Sequence, residues 1–283
     1  MKEHIICLLA SIAVIPAIQL GAEADPNDHS LTTYPLTEEQ FGRFSTCDGK
    51  PSPFWTSAWD GRDYIEMTPS KNPYTGWKNP GEFDLGDDDA KLIVKTAGNA
   101  SGMFFYFEIH DDTFLSGTEW TADVVDIYLD TRSPEQIKSL SEGDFALAGT
   151  GCGFTTSSTQ LQMWTMDNED PADAVFSCFN LMLYEWRSNQ RLSREEMNSQ
   201  YKGMQFEVFG MDDNKRGIEL YVPWKQFNGY SGPEGKLGGQ KLSMAGGYND
   251  TDEPETEVAV LRCRDAAPWA SEPGATSPTQ LAL

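Results

Sequence analysis

Apolar and polar residues alternate over short stretches of this chain, which is the pattern of β-strands. The clearest run covers residues 103–110, where both alternating sets of side chains are largely apolar. A strand of this kind is covered on both faces and lies at the centre of a sheet. A five-residue segment that begins and ends with glycine, at 98–102, separates it from another run at 91–95. We therefore predict a β-hairpin from these two runs.

A second clear pattern lies at residues 124–130, where Val125 and Ile127 alternate with Asp126 and Tyr128. One face of this strand should enter a core while the other stays polar. Further strands are predicted at 145–148, 161–165, 176–183, 205–209, 218–222, 242–246 and 258–261, and short helices at 134–140, 193–201 and 223–227. About ten strands without alternating helices predict an all-β fold, an antiparallel, jelly-roll-like β-sandwich with short peripheral helices.

The N-terminal residues have the features of a signal peptide. Lys2 precedes an apolar run at 5–18, and Ala22 and Ala24 offer small residues for cleavage. Such a run is too short to span a bilayer stably. We predict a signal peptide at 1–24, a polar leader at 25–40 and one sandwich domain at 41–283, in a protein that is secreted or periplasmic.

Composition narrows the range of partners. The chain has 44 acidic and 21 basic residues among 283, which gives a formal net charge of −23. This charge repels both a phosphate backbone and an anionic lipid surface, so neither nucleic acid nor a membrane is an expected partner. A mean hydropathy of −0.48 also argues against membrane insertion.

Cysteine usage fits an exported protein. The four cysteines that follow the predicted signal peptide are Cys47, Cys152, Cys178 and Cys263, and none forms the C-x-x-C spacing of zinc or redox sites. Up to two disulfides can form, through three alternative pairings. Of these we favour Cys152 with Cys178 and Cys47 with Cys263.

Signatures of common enzymes are absent from the sequence. It contains three histidines, His4, His29 and His110, and no G-x-S-x-G, H-E-x-x-H or P-loop motif. We therefore expect no catalytic residues. Glycoside hydrolysis is the enzymatic alternative that stays open, because it needs only two carboxylates at a defined separation.

Several segments, taken in order, resemble the motifs of one known family. Residues 120–130, with the sequence WTADVVDIYLD, resemble its most specific element, W-x-x-D-s-V-E-i-f-i-D. The other matching segments are Asp48-Gly49 followed by Trp55, the strand at 104–112, the IELYVPWKQF run at 218–227, the Asn249-Asp250 pair, and Trp269 followed by 281–283. Together they resemble the family 9 carbohydrate-binding module, the cellulose- and xylan-binding β-sandwich.

The resemblance implies a non-catalytic protein that binds a plant-type polysaccharide or oligosaccharide. Trp120 and Trp269 correspond to the tryptophans that stack on sugar in the family, and Asp126 stands where its acidic residue accepts hydroxyl protons. Tyr128 and Asn249 complete the predicted site. An indole suits this role because it covers the C–H face of a sugar while polar side chains bond the hydroxyls. Secreted glycoside hydrolases are the protein partners that the resemblance suggests.

Two departures from the family pattern favour other interpretations. No arginine occurs at 145–148, the strand expected to carry the family's charged donor, and Ala266 and Ala267 stand where an asparagine is expected. A structural or protein-interaction sandwich with a decayed sugar site is therefore the first alternative. A haem-binding relative of the fold is the second, with His110 and one of three methionines, Met163, Met166 or Met204, as axial ligands.

Acidic residues cluster in the predicted loops. Grouped carboxylates are the oxygen ligands that Ca²⁺ prefers, and the resemblance implies structural calcium. Asp111 and Asp112, which follow the strand at 103–110 and precede Trp120, are the predicted calcium ligands. No organic cofactor is expected.

Overall fold

The structure, a computed structural model, describes residues 30–44, 50–56, 59, 62–69, 90–115, 123–130, 158–164, 176–180, 185–186, 203–226, 241–250, 259–262 and 279–282. The strands in these ranges are β1 (Ser30–Thr32), β2 (Tyr34–Pro35), β3 (Ile65–Met67), β4 (Ala90–Gly98), β5 (Gly102–Asp111), β6 (Val124–Asp130), β7 (Ser158–Trp164), β8 (Phe176–Asn180), β9 (Glu185–Trp186), β10 (Gln205–Asp212), β11 (Lys215–Pro223), β12 (Lys241–Asp250), β13 (Ala259–Arg262) and β14 (Thr279–Ala282). The helices are α1 (Glu38–Phe44), α2 (Pro53–Thr56) and a 3₁₀-helix at Trp224–Gln226.

These strands form two sheets that share one core. The eight-stranded sheet has the order β1-β14-β12-β6-β7-β8-β9, with β13 paired to β12. The six-stranded sheet has the order β10-β11-β5-β4-β2, with β3 paired to β4. The predicted all-β sandwich is confirmed. Two pairings are parallel, β1 with β14 and β2 with β4, so the sheets are mixed and not purely antiparallel.

The predicted hairpin is confirmed as β4 and β5, which pair along their full length. Its turn satisfies part of its own backbone, because the Asn99 amide donates to the Gly102 carbonyl at 3.1 Å and the Ser101 amide donates to Asn99 Oδ1 at 2.8 Å. Trp224, which directly follows β11, also stabilises the turn, because its indole N–H donates to the Asn99 carbonyl at 2.8 Å. The turn is therefore fixed by local geometry and by a buried tryptophan.

β5 is buried on both faces, as its sequence predicts. Phe105 and Phe107 belong to the main core, a cluster of buried side chains contributed by both sheets. Phe104 and Tyr106 point to the other face and belong to the outer cluster, an aromatic layer that α1 and α2 cover. The six-stranded sheet thus has an apolar layer on each of its faces.

The first described residues belong to the sandwich. β1 and β2 extend the edges of the two sheets, and Leu31 is fully buried in the main core. Residues 30–40 therefore lie within the domain and not in the polar leader that the sequence suggested. The sequence did not reveal this because the two buried leucines, Leu31 and Leu36, stand among polar residues, and strands of two or three residues are too short to show a period.

α1 follows these strands and begins with a capping box. The Thr37 amide donates to Gln40 Oε1 at 2.9 Å, and the Gln40 amide donates to Thr37 Oγ1 at 3.2 Å. Phe41 then packs edge-on against Phe104 and Tyr221 of the outer cluster. The short helix is thus held by its cap and by one aromatic side chain.

Some predicted elements lie outside the described residues, namely the strand at 145–148 and the helices at 134–140 and 193–201. The helical turn predicted at 223–227 is present as the 3₁₀-helix at Trp224–Gln226. Within the ranges given above, no helix is both long and apolar enough to cross a membrane.

Candidate functional site

β6, which carries two of the predicted sugar-binding residues, lies inside the eight-stranded sheet between β12 and β7. Val125 and Ile127 are buried in the main core, as the alternation predicts. The polar positions of β6 have small residues of β12 on one side and glutamines of β7 on the other: Asp126 pairs with Gly247 and Gln162, and Tyr128 pairs with Ala245 and Gln160.

This register identifies the strand beside β6, which concerns one expectation from the sequence. We expected the strand that follows β6 to lie at 145–148 and to lack a hydrogen-bond donor for sugar. The strand that pairs with β6 is β7, and residues 145–148 lie outside the described residues. Gln162 and Gln160 therefore occupy the backbone positions opposite Asp126 and Tyr128. A glutamine amide can both donate and accept hydrogen bonds, so the position is not an apolar one.

The remaining predicted sugar-binding residues are Trp120, Trp269 and Asn249. Trp120 and Trp269 lie outside the described residues, so their stacking role stays a prediction. Asn249 lies on β12 and is only 2% exposed. Its side chain is therefore enclosed by protein and is not offered to an external sugar.

The predicted disulfides are also not described in full. Cys178 lies on β8, whereas Cys47, Cys152 and Cys263 lie outside the described residues. Both proposed pairings therefore stay predictions.

The structure separates the residues of the haem alternative. His110 Nε2 lies 2.8 Å from Glu108 Oε1, on the face of β5 that also carries the outer cluster. Met163 and Met204 are buried in the main core on the opposite side of the six-stranded sheet. Met166 lies outside the described residues. His110 and the two described methionines therefore do not approach a common iron position.

A buried group of three carboxylates joins the two sheets at one end of the sandwich. Asp111 ends β5, Asp250 ends β12, and Asp123 immediately precedes β6. One carboxylate oxygen from each residue lies within 4.8 Å of the others. Each of the three residues is 1% exposed. We call this group the carboxylate cluster.

Protein donors contact the carboxylate cluster directly. The Tyr248 hydroxyl donates to Asp111 Oδ2, and the Thr113 amide donates to Asp111 Oδ1 at 2.8 Å. The Leu115 amide donates to Asp123 Oδ2. Burial, reinforced by the neighbouring carboxylates, raises the pKa of Tyr248 well above its ordinary value. The hydroxyl therefore keeps its proton and remains a donor.

The carboxylate cluster has the chemistry of a site for Ca²⁺. Calcium binds carboxylate oxygens at 2.3–2.6 Å, so two oxygens on one ion stand up to about 5 Å apart, and the 4.8 Å spread is compatible with this. Asp111 was predicted as a ligand. Asp112, the other predicted ligand, is exposed and lies outside the cluster. Sequence reasoning did not group Asp123 and Asp250 with Asp111, although both lie in the family-like motifs at strand ends.

The outer cluster fixes α2 on the six-stranded sheet. The Trp55 ring stacks on the Tyr106 ring with centroids 5.5 Å apart and an interplanar angle of 10°. Lys95 Nζ donates to the Trp55 carbonyl at 2.8 Å, and Glu219 Oε1 accepts the Ser52 amide at 2.7 Å. Burial, followed by the charges of nearby glutamates, raises the pKa of Tyr106 far above its ordinary value. This tyrosine is thus a neutral packing residue.

Comparisons with known proteins concern the fold. No protein-family model and no curated protein matches the sequence. A family 9 carbohydrate-binding module from Caldicellulosiruptor kristjanssonii, solved in complex with glucose, aligns with 90% of this chain and 95% of its own, with a TM-score of 0.51 and 11% identity. The fold is similar to that of a family 9 carbohydrate-binding module.

A second structure of a family 9 module from the same organism, in complex with cellotriose, aligns with 89% of this chain and 93% of its own. Its TM-score is 0.46 and its identity is 11%. Because both sequences are only 11% identical to this chain, the likeness concerns the fold alone.

Proposed function

We propose that this protein is a secreted, non-catalytic carbohydrate-binding protein that holds a plant-type polysaccharide or oligosaccharide at β6. The observation that supports the proposal is the likeness of its fold, over 90% of the chain, to a module solved with glucose. Because a fold by itself does not fix a function, the proposal also names the residues that should bind the sugar.

The sugar would lie beside Asp126 and Tyr128. Two features of the register favour this place. Gly247, on the β12 side, has no side chain, and Gln162, on the β7 side, is a residue type whose amide can donate and accept hydrogen bonds. In this proposal Trp120 and Trp269 stack on the sugar faces, and Asp126 accepts hydrogen bonds from hydroxyls.

Binding measurements with single variants test this site. Isothermal titration with cellotriose and xylotriose should show binding by the wild type, and Trp120→Ala or Trp269→Ala should weaken it at least about tenfold. Asp126→Asn should weaken it about 10- to 100-fold, since a hydrogen bond to a charged group contributes about 1.5–3 kcal/mol. Trp120→Phe keeps a ring and should retain part of the affinity.

Asp212→Asn is the matched control for Asp126→Asn. Asp212 lies on β10 of the other sheet, and its side chain is 55% exposed, so its substitution should leave binding unchanged. Unchanged binding by folded Asp126→Asn and Trp120→Ala would remove the proposed site. Failure of the wild type to bind any glycan on a broad array would favour the structural or protein-interaction alternative.

We also propose that the carboxylate cluster holds a structural Ca²⁺. Asp111, Asp123 and Asp250 would bind the ion, and the Tyr248 hydroxyl would orient Asp111. The ion would bring a positive charge to three buried carboxylates, and carboxylate oxygens are the ligands that Ca²⁺ prefers. Since Asp123 directly precedes β6, the ion would also hold the segment that leads from Trp120 into the sugar-binding strand.

Export and the absence of catalysis are separate parts of the proposal. If the signal peptide is cleaved as proposed, N-terminal sequencing of the exported protein should start near Asp25. Incubation with cellulose or xylan should release no new reducing ends, and their release would identify a glycoside hydrolase instead. Secreted glycoside hydrolases are the proposed protein partners.

A further inference from the structure

We propose a second binding site on the outer face of the six-stranded sheet, which is centred on Arg62 and takes the carboxylate of an acidic sugar. Its other members are Tyr34 of β2, Phe54 of α2 and Trp59. The choice of a sugar as the ligand rests on the proposed function, whereas the recognition of an anion rests on the geometry.

Three aromatic rings hold the guanidinium of Arg62. Its Cζ atom lies 4.2 Å from the ring centroid of Tyr34, 5.3 Å from that of Phe54 and 5.8 Å from that of Trp59. The Tyr34 and Phe54 rings are themselves 5.2 Å apart and inclined at 59°. Stacking on rings uses the face of a guanidinium and leaves the N–H groups along its edge to bind a planar anion.

The edge of this guanidinium has no acceptor within the part of the chain that the structure describes. There, the side chain of Arg62 is engaged by the three rings and by no hydrogen bond or ion pair. The residue is half-buried. An arginine held in place and partly removed from water loses little further freedom when a carboxylate binds, and a charge-assisted pair is strong in such surroundings.

The indole of Trp59 is a second donor at the same place. Trp59 is 4% exposed, and its Nε1 is buried with no acceptor among the described residues. Buried donors are nearly always paired in native proteins, so each exception calls for an explanation. Lys95 Nζ lies 5.9 Å from the Trp59 ring on the sheet side. Arg62 and Lys95 therefore place two positive charges 5.8 and 5.9 Å from the centre of the Trp59 ring, in a protein whose net charge is −23.

A uronic acid combines the two chemistries that this site offers. Its ring has an apolar C–H face, which suits the half-buried rings of Tyr34 and Phe54, and its carboxylate matches the guanidinium edge in a bidentate pair. A neutral sugar would gain the ring contact alone. The site should therefore select acidic sugars over neutral ones.

Titration with trigalacturonate tests the proposal. The wild type should bind it, and the affinity should fall as salt is added, because the contact is between charges at a partly exposed site. Arg62→Gln should weaken binding about 10- to 100-fold. Arg62→Lys keeps the charge without the planar fork and should have an intermediate affinity.

Lys91→Gln is the matched control, because it removes one positive charge from the same sheet. Lys91 pairs with His110 near one end of β4, whereas Tyr34 pairs with Ala97 near the other end. Six residues of strand separate the two positions along β4, which is about 20 Å. Trigalacturonate binding by this variant should equal that of the wild type.

Three results would overturn the proposal. These are no binding of trigalacturonate by the wild type, equal binding by Arg62→Gln, and binding of sulfate as strong as that of trigalacturonate with the same dependence on Arg62. The third result would mean a simple anion site. Thermal unfolding separates a structural role of Arg62 from a binding role. If the role is purely structural, Arg62→Gln should have a lower melting temperature than the wild type, but trigalacturonate should raise that temperature as much as it does in the wild type.

Cellotriose titration in parallel keeps this proposal apart from the proposed function. Cellotriose reports on the site at β6, so Arg62→Gln should bind it like the wild type. If the wild type binds trigalacturonate but does not bind cellotriose, this result would count against the site at β6 and would leave the Arg62 site supported.

Discussion

Removal of Ca²⁺ should destabilise this protein, because the carboxylate cluster brings three acidic side chains close together. Two unit charges 4.8 Å apart repel each other by about 3.5 kcal/mol at an effective dielectric constant of about 20. Three such pairs give about 10 kcal/mol, which is similar to the whole free energy of unfolding of a domain, about 5–15 kcal/mol. A cation bound at this position would offset this repulsion.

Urea unfolding at neutral pH, with excess CaCl₂ or with EDTA, measures this effect. A site with free ion at one hundred times its Kd adds about 2.7 kcal/mol to the free energy of unfolding, and we expect a loss of this order on chelation. The effect of Asp123→Asn on the free energy of unfolding should change sign between the two solutions. The variant should be less stable than the wild type with Ca²⁺, because a ligand is gone, and at least as stable as the wild type in EDTA, because repulsion is relieved.

Asp112→Asn, which changes an exposed neighbour outside the cluster, should respond to EDTA like the wild type. The reasoning would be refuted by a wild type whose free energy of unfolding is the same with Ca²⁺ and with EDTA. It would equally be refuted if Asp123→Asn lost the same stability in both solutions, since the carboxylate would then act by its hydrogen bond and not by its charge.

Three further predictions concern the sandwich itself. Gly102→Ala should lower the free energy of unfolding by about 1–3 kcal/mol in a urea titration, because a Cβ there would lie 2.6 Å from the Val222 carbonyl oxygen. A hydrogen bond from His110 lowers the pKa of Glu108 below its ordinary 4.5. The stabilisation that ionised Glu108 contributes is therefore present above pH 4.5 and lost as the pH falls through the pKa of the folded state. Glu108→Gln should flatten the loss of stability measured below about pH 4.5. Leu31→Ala should cost about 2–5 kcal/mol in the same titration, whereas a mobile leader would show no change.

The sequence predicted those strands whose hydrophobic pattern is complete within one continuous segment. The β4–β5 hairpin was predicted from the largely apolar run at 103–110 and the glycine-bounded segment that separates it from 91–95, and β6 from the alternation within 124–130. β1 and β2 have three and two residues, which is too short for a period to be recognised. They are strands because β14 and β4 lie beside them, and such pairing is a property of the folded chain.

The candidate sites were predictable to the same extent. Asp111 could be identified as a ligand because it ends a clear strand. Asp123 and Asp250 join it only when β5, β6 and β12 converge, and Gln162 stands opposite Asp126 only through the register of β7. The ring contacts of Arg62 have no counterpart in the sequence pattern, because its aromatic partners come from separate elements.

The parallel pairing of β1 with β14, from Ser30–Gln280 to Thr32–Ala282, also has a consequence for biosynthesis. The paired residues Ser30 and Gln280 are 250 positions apart in the chain (280 − 30), so β1 has no β14 to pair with until the ribosome has synthesised that length. Contacts between such distant segments form slowly, and an incomplete edge can pair with other chains in the meantime. Formation of this sheet edge therefore waits for the synthesis of β14.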